Sequence, residues 1–143
     1  IKRIKYSKIS PNNPLVIKPK DRGVEKLVII PDKEIKKVNF NLEKLARPKI
    51  PNLIEYYKFD TNLKEEDIDR IYLEIRIKKS HVGLRGYKGI MVYIFDKEWK
   101  EKEMELYKED KTYFYYKGFL EPSEKIAVSG IKESFWDIFD FID

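Results

Sequence analysis

The dominant period along the chain is two. Ile71, Leu73, Ile75 and Ile77 alternate with Tyr72, Glu74, Arg76 and Lys78. That is the pattern of a strand with one face in a core and the other in water. Val38, Phe40 and Leu42 alternate with Asn39, Asn41 and Glu43 in the same way. Leu27 to Ile30 and Ile90 to Phe95 are continuous apolar runs of strand length, and they read as central strands covered on both faces. Thr112 to Lys117 is aromatic-rich and strand-forming. Lys125 to Ser129 gives a short final strand. Ile1 to Ile9 gives a first one, with Ile4 and Tyr6 on the side opposite Lys5.

The punctuation fits these strands. Pro11, Pro14, Pro19 and Gly23 bound the first segments, Pro31-Asp32 marks a turn, and Arg47 to Pro51 is a stiff connector. Asn62 followed three residues later by Glu65 predicts a capped helical turn. Gly83, Gly86 and Gly89 predict a flexible loop over His81 to Gly89. Many short strands with turns between them predict an all-β fold, an antiparallel β-sandwich of immunoglobulin-like type over 1–130. Residues 131–143 differ. Ser134 opens a capped helix that sets Phe135, Ile138, Phe139 and Ile142 on one face, widened by Trp136 and Phe141. This amphipathic tail is expected either to pack on its own sandwich or to dock on a neighbour.

Composition narrows the chemistry. The 143 residues suffice for one domain with a hydrophobic core. Cys is absent, which excludes disulfides, thiolate metal sites and thiol catalysis. His81 is the single histidine, no glycine motif of phosphate-binding type occurs, and no Asn-x-Ser/Thr acceptor exists. Thirty basic and 25 acidic residues give net charge +5. That mixture predicts only weak, salt-sensitive contact with nucleic acid. No apolar run approaches a membrane span. Lys and Glu are abundant, Gln is absent and Ala occurs only at Ala46 and Ala127. This is the hyperthermophile pattern, although an AT-rich coding sequence enriches Ile and Lys as well. The chain begins at Ile1, as a processed chain or a piece of a longer one would.

Three constellations carry candidate chemistry. Glu65, Glu66, Asp67 and Asp69 offer oxygen ligands, but without the spacing of a calcium loop they read as a helix start. Tyr56-Tyr57 and Tyr113 to Tyr116 sit among Lys58, Lys111 and Lys117. They could stack bases or sugars, or pack on a sheet face, and the acidic neighbours Glu55, Asp60, Glu109 and Asp110 favour packing over nucleic acid. His81 beside Ser80 is no evidence of a triad, because triads are recognised by geometry.

Several segments together resemble the PGF-pre-PGF domain of archaeal cell-surface proteins. They are Gly23 to Ile30, the Val38/Phe40/Leu42 strand with Arg47-Pro48, Tyr56 to Phe59, and Asn62 to Ile68 with the following strand. Tyr93 to Trp99, Glu109 to Tyr116 and Ile126 to Gly130 continue the series. The chain departs from that pattern where Gly118 to Ser123 replaces the Pro-Gly-Phe-Ser signature and His81 replaces a Trp. The resemblance implies an extracellular structural role in an S-layer, filament or adhesin, and it hands over no catalytic residues. The expected protein is a non-catalytic interaction module that holds neither metal nor cofactor. Its partners are itself or other cell-surface proteins. Ile1, Ile4, Tyr6 and Ile9 at one end, and Phe135, Trp136, Ile138, Phe139 and Ile142 at the other, are the expected contacts. A small β-domain binding a glycan or, ranked behind it, nucleic acid is the alternative.

Overall fold

A computed structural model describes residues 4–19, 23–44, 50, 52–84, 86–123 and 125–132. Among these residues eleven strands form: β1 (Ile4–Ile9), β2 (Leu15–Ile17), β3 (Val24–Pro31), β4 (Ile35–Lys44), β5 (Leu53–Thr61) and β6 (Ile68–Lys78). β7 (Tyr87–Asp96), β8 (Glu98–Lys102), β9 (Glu105–Glu109), β10 (Tyr113–Leu120) and β11 (Lys125–Lys132) follow. One six-stranded sheet has the order β1-β4-β5-β11-β7-β8, and one five-stranded sheet the order β2-β3-β6-β10-β9. Every pairing is antiparallel. The expected all-β sandwich is therefore the fold.

The period of two builds the core. Along β6, Ile71, Leu73, Ile75 and Ile77 are buried, while Tyr72, Glu74 and Arg76 point the other way. Val24, Leu27, Leu73 and Ile75 of the smaller sheet meet Leu42, Tyr57, Phe59, Ile126 and Val128 of the larger one. Phe40 and Phe59 pack tilted, with ring centroids 5.3 Å apart. Across the layers, the Tyr57 hydroxyl accepts the Gly23 amide at 3.1 Å, and within the smaller sheet the Arg76 amide donates to the Gly23 carbonyl at 2.8 Å. The buried phenol oxygen thus meets a donor, which burial of a polar group requires.

Several local expectations change. His81 and Gly83 belong to a short helix, α1 (Lys79–Leu84), rather than a loop, and β7 begins at Tyr87. Glu65–Asp67 do form a helical turn, a 3-10 one, but its N-cap is Lys64 and no side chain caps it. Asn62 is used elsewhere. Its Oδ1 accepts the Asn39 amide at 2.9 Å and its Nδ2 donates to the Lys37 carbonyl at 2.7 Å. Lys37 takes a left-handed φ of 56°, so a side-chain partner there steadies an unusual backbone. β7 is a central strand, yet among the described residues no third layer covers its outer side. Ile90, Val92 and Ile94 point into the core, while Met91, Tyr93 and Phe95 are half-buried. Trp99 lies edge-on to both Phe95 (5.2 Å) and Tyr56 (5.9 Å), so aromatic side chains shield that side themselves. β11 continues through Ile131 and Lys132, two residues past the expected boundary at 130, because both still pair with β7. The helix expected over 131–143 falls almost wholly outside the described residues. Among the described residues, no helix is long and apolar enough to cross a membrane.

Candidate functional site

The register of the five-stranded sheet decides which aromatics reach the surface. β10 pairs with β6 so that Phe114 lies opposite Ile77 and Tyr116 opposite Ile75. Both rings therefore pack against the core. The alternate residues face outward: Tyr113 opposite Lys78, Tyr115 opposite Arg76, Lys117 opposite Glu74 and Phe119 opposite Tyr72. The run Tyr113 to Tyr116 is thus half core and half surface, as strand alternation requires. Gly118 lies on the inner row opposite Leu73, and a Cβ there would come within 2.7 Å of the Met104 sulfur. Any larger residue there would require the Met104 thioether to shift.

β9 brings a further ring to the outer face. A bulge between the Tyr115 and Tyr116 pairings leaves Tyr107 as the extra residue of β9. Its ring stands 6.4 Å from that of Tyr115, which stands 6.1 Å from that of Tyr113. Tyr72 and Phe119 form another pair at 5.2 Å. Each of four rings carries a cation. Arg70 lies over Phe119 at 4.5 Å, Arg76 over Tyr113 at 4.6 Å, Lys108 over Tyr115 at 4.6 Å and Lys117 over Tyr107 at 5.1 Å. Leu106, Tyr107 and Phe119 are exposed large apolar side chains, and all three belong to β9 and β10.

A groove of about 440 Å³ opens on this face. Glu25, Lys26, Glu74, Tyr107, Lys108 and Tyr115 line it, with Lys18 from the end of β2. Its carboxylates are engaged. Glu25 pairs with Arg76 at 3.2 Å, and Glu74 accepts the Tyr72 hydroxyl at 3.0 Å. Burial, then the bond to Glu74, pushes the Tyr72 phenol up to about 12. Its hydroxyl bond to Asp110, at 2.7 Å, takes Tyr115 up to about 12 as well. Burial raises Tyr107, with the charge of Glu74 adding to it. Asp110 is held below its ordinary value by Tyr115 and by the amides of Tyr113 and Thr112. At neutral pH these phenols are neutral donors and not bases. The face offers flat rings, phenol donors and ammonium groups for non-covalent contact.

The residues expected to make contacts lie elsewhere. Ile4 pairs with Phe40 on the edge strand β1. Tyr6 is half-buried, and its hydroxyl donates to the Val16 carbonyl at 3.3 Å. Ile9 is 1% exposed and belongs to the protein's own core, so it has no face left for a partner. Ile1, Phe135, Trp136, Ile138, Phe139 and Ile142 lie outside the described residues. Of the acidic cluster, Asp67 is held by Lys33 at 3.0 Å. Among the described residues, no group of three or more His, Asp or Glu side chains is placed to hold a metal ion. Tyr57 is buried, and Tyr56 rests against Trp99. The sequence signals for the outer face were the tyrosines of β10. Tyr72 and Tyr107 join them only through the pairing of β6, β10 and β9. No family model, curated protein or solved structure matches this chain.

Proposed function

We propose that this protein is a non-catalytic structural and interaction module of an archaeal extracellular cell-surface assembly, such as an S-layer, a filament or an adhesin. The observation that carries the interaction role is the outer face of the five-stranded sheet. It keeps Tyr107 and Phe119 in water beside rings already topped by cations. Exposed apolar groups gathered on one face and rimmed by charge are what binding surfaces retain. The state of the phenols supports a non-catalytic role, since neutral tyrosines bonded to carboxylates are poor acid–base groups at neutral pH. The resemblance to the PGF-pre-PGF domain supports the extracellular setting.

The groove favours a second reading, a glycan-binding domain. Tyr107 and Tyr115 supply ring faces, while Lys26 and Lys108 supply donors within one depression. Co-sedimentation of the purified chain with isolated envelopes of the producing organism tests the first reading. Wild type is expected in the envelope pellet, and Tyr107→Ala with Phe119→Ala is expected to stay in the supernatant while remaining folded. Equal pelleting of wild type and variant overturns the assignment of this face. Release of the wild type by soluble envelope polysaccharide alone selects the glycan reading.

A further inference from the structure

The two lateral edges of the sandwich carry opposite charge. On one side β1 ends the larger sheet and β2 ends the smaller one, joined by the short turn in which Ser10 and Asn13 bridge. Tyr6 ties these two edges through its bond to Val16. On the other side β8 ends the larger sheet and β9 the smaller one, with only Glu103 and Met104 between them. Residues 4–19 hold three Lys and no Asp or Glu. Residues 98–110 hold six Asp and Glu against three Lys. Lys5, Lys8 and Lys18 are exposed on the first edge, as are Glu98, Glu101, Glu103 and Glu105 on the second. None of these seven has an ion pair among the described residues.

An edge strand presents a row of unpaired amides and carbonyls. Among the described residues, β1 pairs only with β4, β2 only with β3, β8 only with β7 and β9 only with β10. Like-charged edges repel. Two copies therefore do not join β1 to β1 or β8 to β8, and a two-fold dimer through either edge is disfavoured. The opposite edges suit one another. β1 has six residues and β8 five, so their main chains match over about 17 Å.

We propose that a second copy of this chain docks its β1–β2 edge on the β8–β9 edge, so that copies add head to tail. β1 of one copy extends the larger sheet of the next beyond β8, and β2 extends the smaller sheet beyond β9. The edge that carries Lys5 and Lys8 then meets the edge that carries Glu98 and Glu101. Such a contact does not consume both edges of either copy, so growth stays open-ended unless a rotation closes a ring. The inference rests on the reading of the protein as an assembly module, and it names the partner of that module.

Sedimentation velocity of the full chain over a concentration series tests it. At low salt the mean mass is expected to climb past the dimer. Raising ionic strength to about 0.5 M is expected to weaken association by about tenfold or more, because the edge charges are exposed to screening. Lys5→Glu with Lys8→Glu makes β1 acidic, and Glu98→Lys with Glu101→Lys makes β8 basic. Each variant alone is expected to stay monomeric with an unchanged unfolding transition. An equimolar mixture is expected to assemble again, since each then meets its opposite. A monomeric wild type at every concentration, assembly that stops at a dimer, or a mixture that stays monomeric overturns the proposal. A wild-type monomer that still pellets with envelopes would refute this contact alone. A chain that assembles but does not pellet would refute the envelope reading alone.

Discussion

Phe119 and Leu120 are neighbours in β10 that face opposite ways, so truncating each to alanine separates surface from core. Phe119 is 55% exposed, and Leu120 is 2% exposed. Phe119→Ala removes a ring pair with Tyr72 and a cation contact with Arg70. At an exposed site the first contributes about 0.5–1.5 kcal/mol and the second about 0.5–1 kcal/mol. With incomplete additivity, a loss of about 1–2 kcal/mol is expected. Leu120→Ala instead leaves a hole between the sheets, and buried leucines lost this way cost about 2–5 kcal/mol. Urea unfolding of both variants, followed by far-ultraviolet circular dichroism, gives the two values from midpoints at constant slope. Leu120→Ala should be the less stable protein and should keep envelope binding wherever it remains folded. Phe119→Ala should lose only the smaller amount, about 1–2 kcal/mol, and should lose binding. If Phe119→Ala is the more destabilised of the two, its ring is a structural element and the surface reading of β10 is refuted.

Three further outcomes follow from particular contacts. Gly130→Ala should destabilise by about 1–3 kcal/mol, because a Cβ there collides with the buried Tyr87 ring, and denaturant midpoints will measure it. Asn62→Ala removes both bonds that steady Lys37 and should cost about 1–2 kcal/mol in the same assay. The phenols of Tyr72 and Tyr115 are raised from 10.0 to about 12, so the folded state favours their protonated forms. Their contribution is complete below pH 10 and is lost as pH rises towards about 12. Spectrophotometric titration near 295 nm should show these two ionising as pH approaches about 12, and Tyr72→Phe and Tyr115→Phe should each flatten the alkaline fall in stability.

The core was legible because burial and strand period coincide. Ile71, Leu73, Ile75 and Ile77 alternate without interruption, and so do the pairs that face them from β10. β2 was not legible, because three residues bracketed by Pro14 and Pro19 carry too little pattern to separate a strand from a loop. The helix α1 was hidden by Gly83 and Gly86, which locally argue for a loop, although Val82 within it is buried. Asn62 and Glu65 have the spacing of a cap, but the side chain of Asn62 reaches β4 instead, a contact 25 residues away in sequence. The candidate site was legible only in part. The tyrosines of β10 were visible as a group, whereas Tyr72 and Tyr107 become their neighbours through register and a bulge. The acid-free first segment is plain in composition, yet its place at one edge, opposite an acidic edge, is a property of strand order.

The central claim is a role in a cell-surface assembly, and the most direct measurement is where the native protein resides. Cells of the producing organism are broken, their envelopes separated from the cytosol, and this chain quantified in both fractions by mass spectrometry. The account predicts that it accompanies the envelope and is released together with the surface layer when that layer is disassembled. Recovery of the chain mainly in the cytosol, with none held by the envelope, would contradict it.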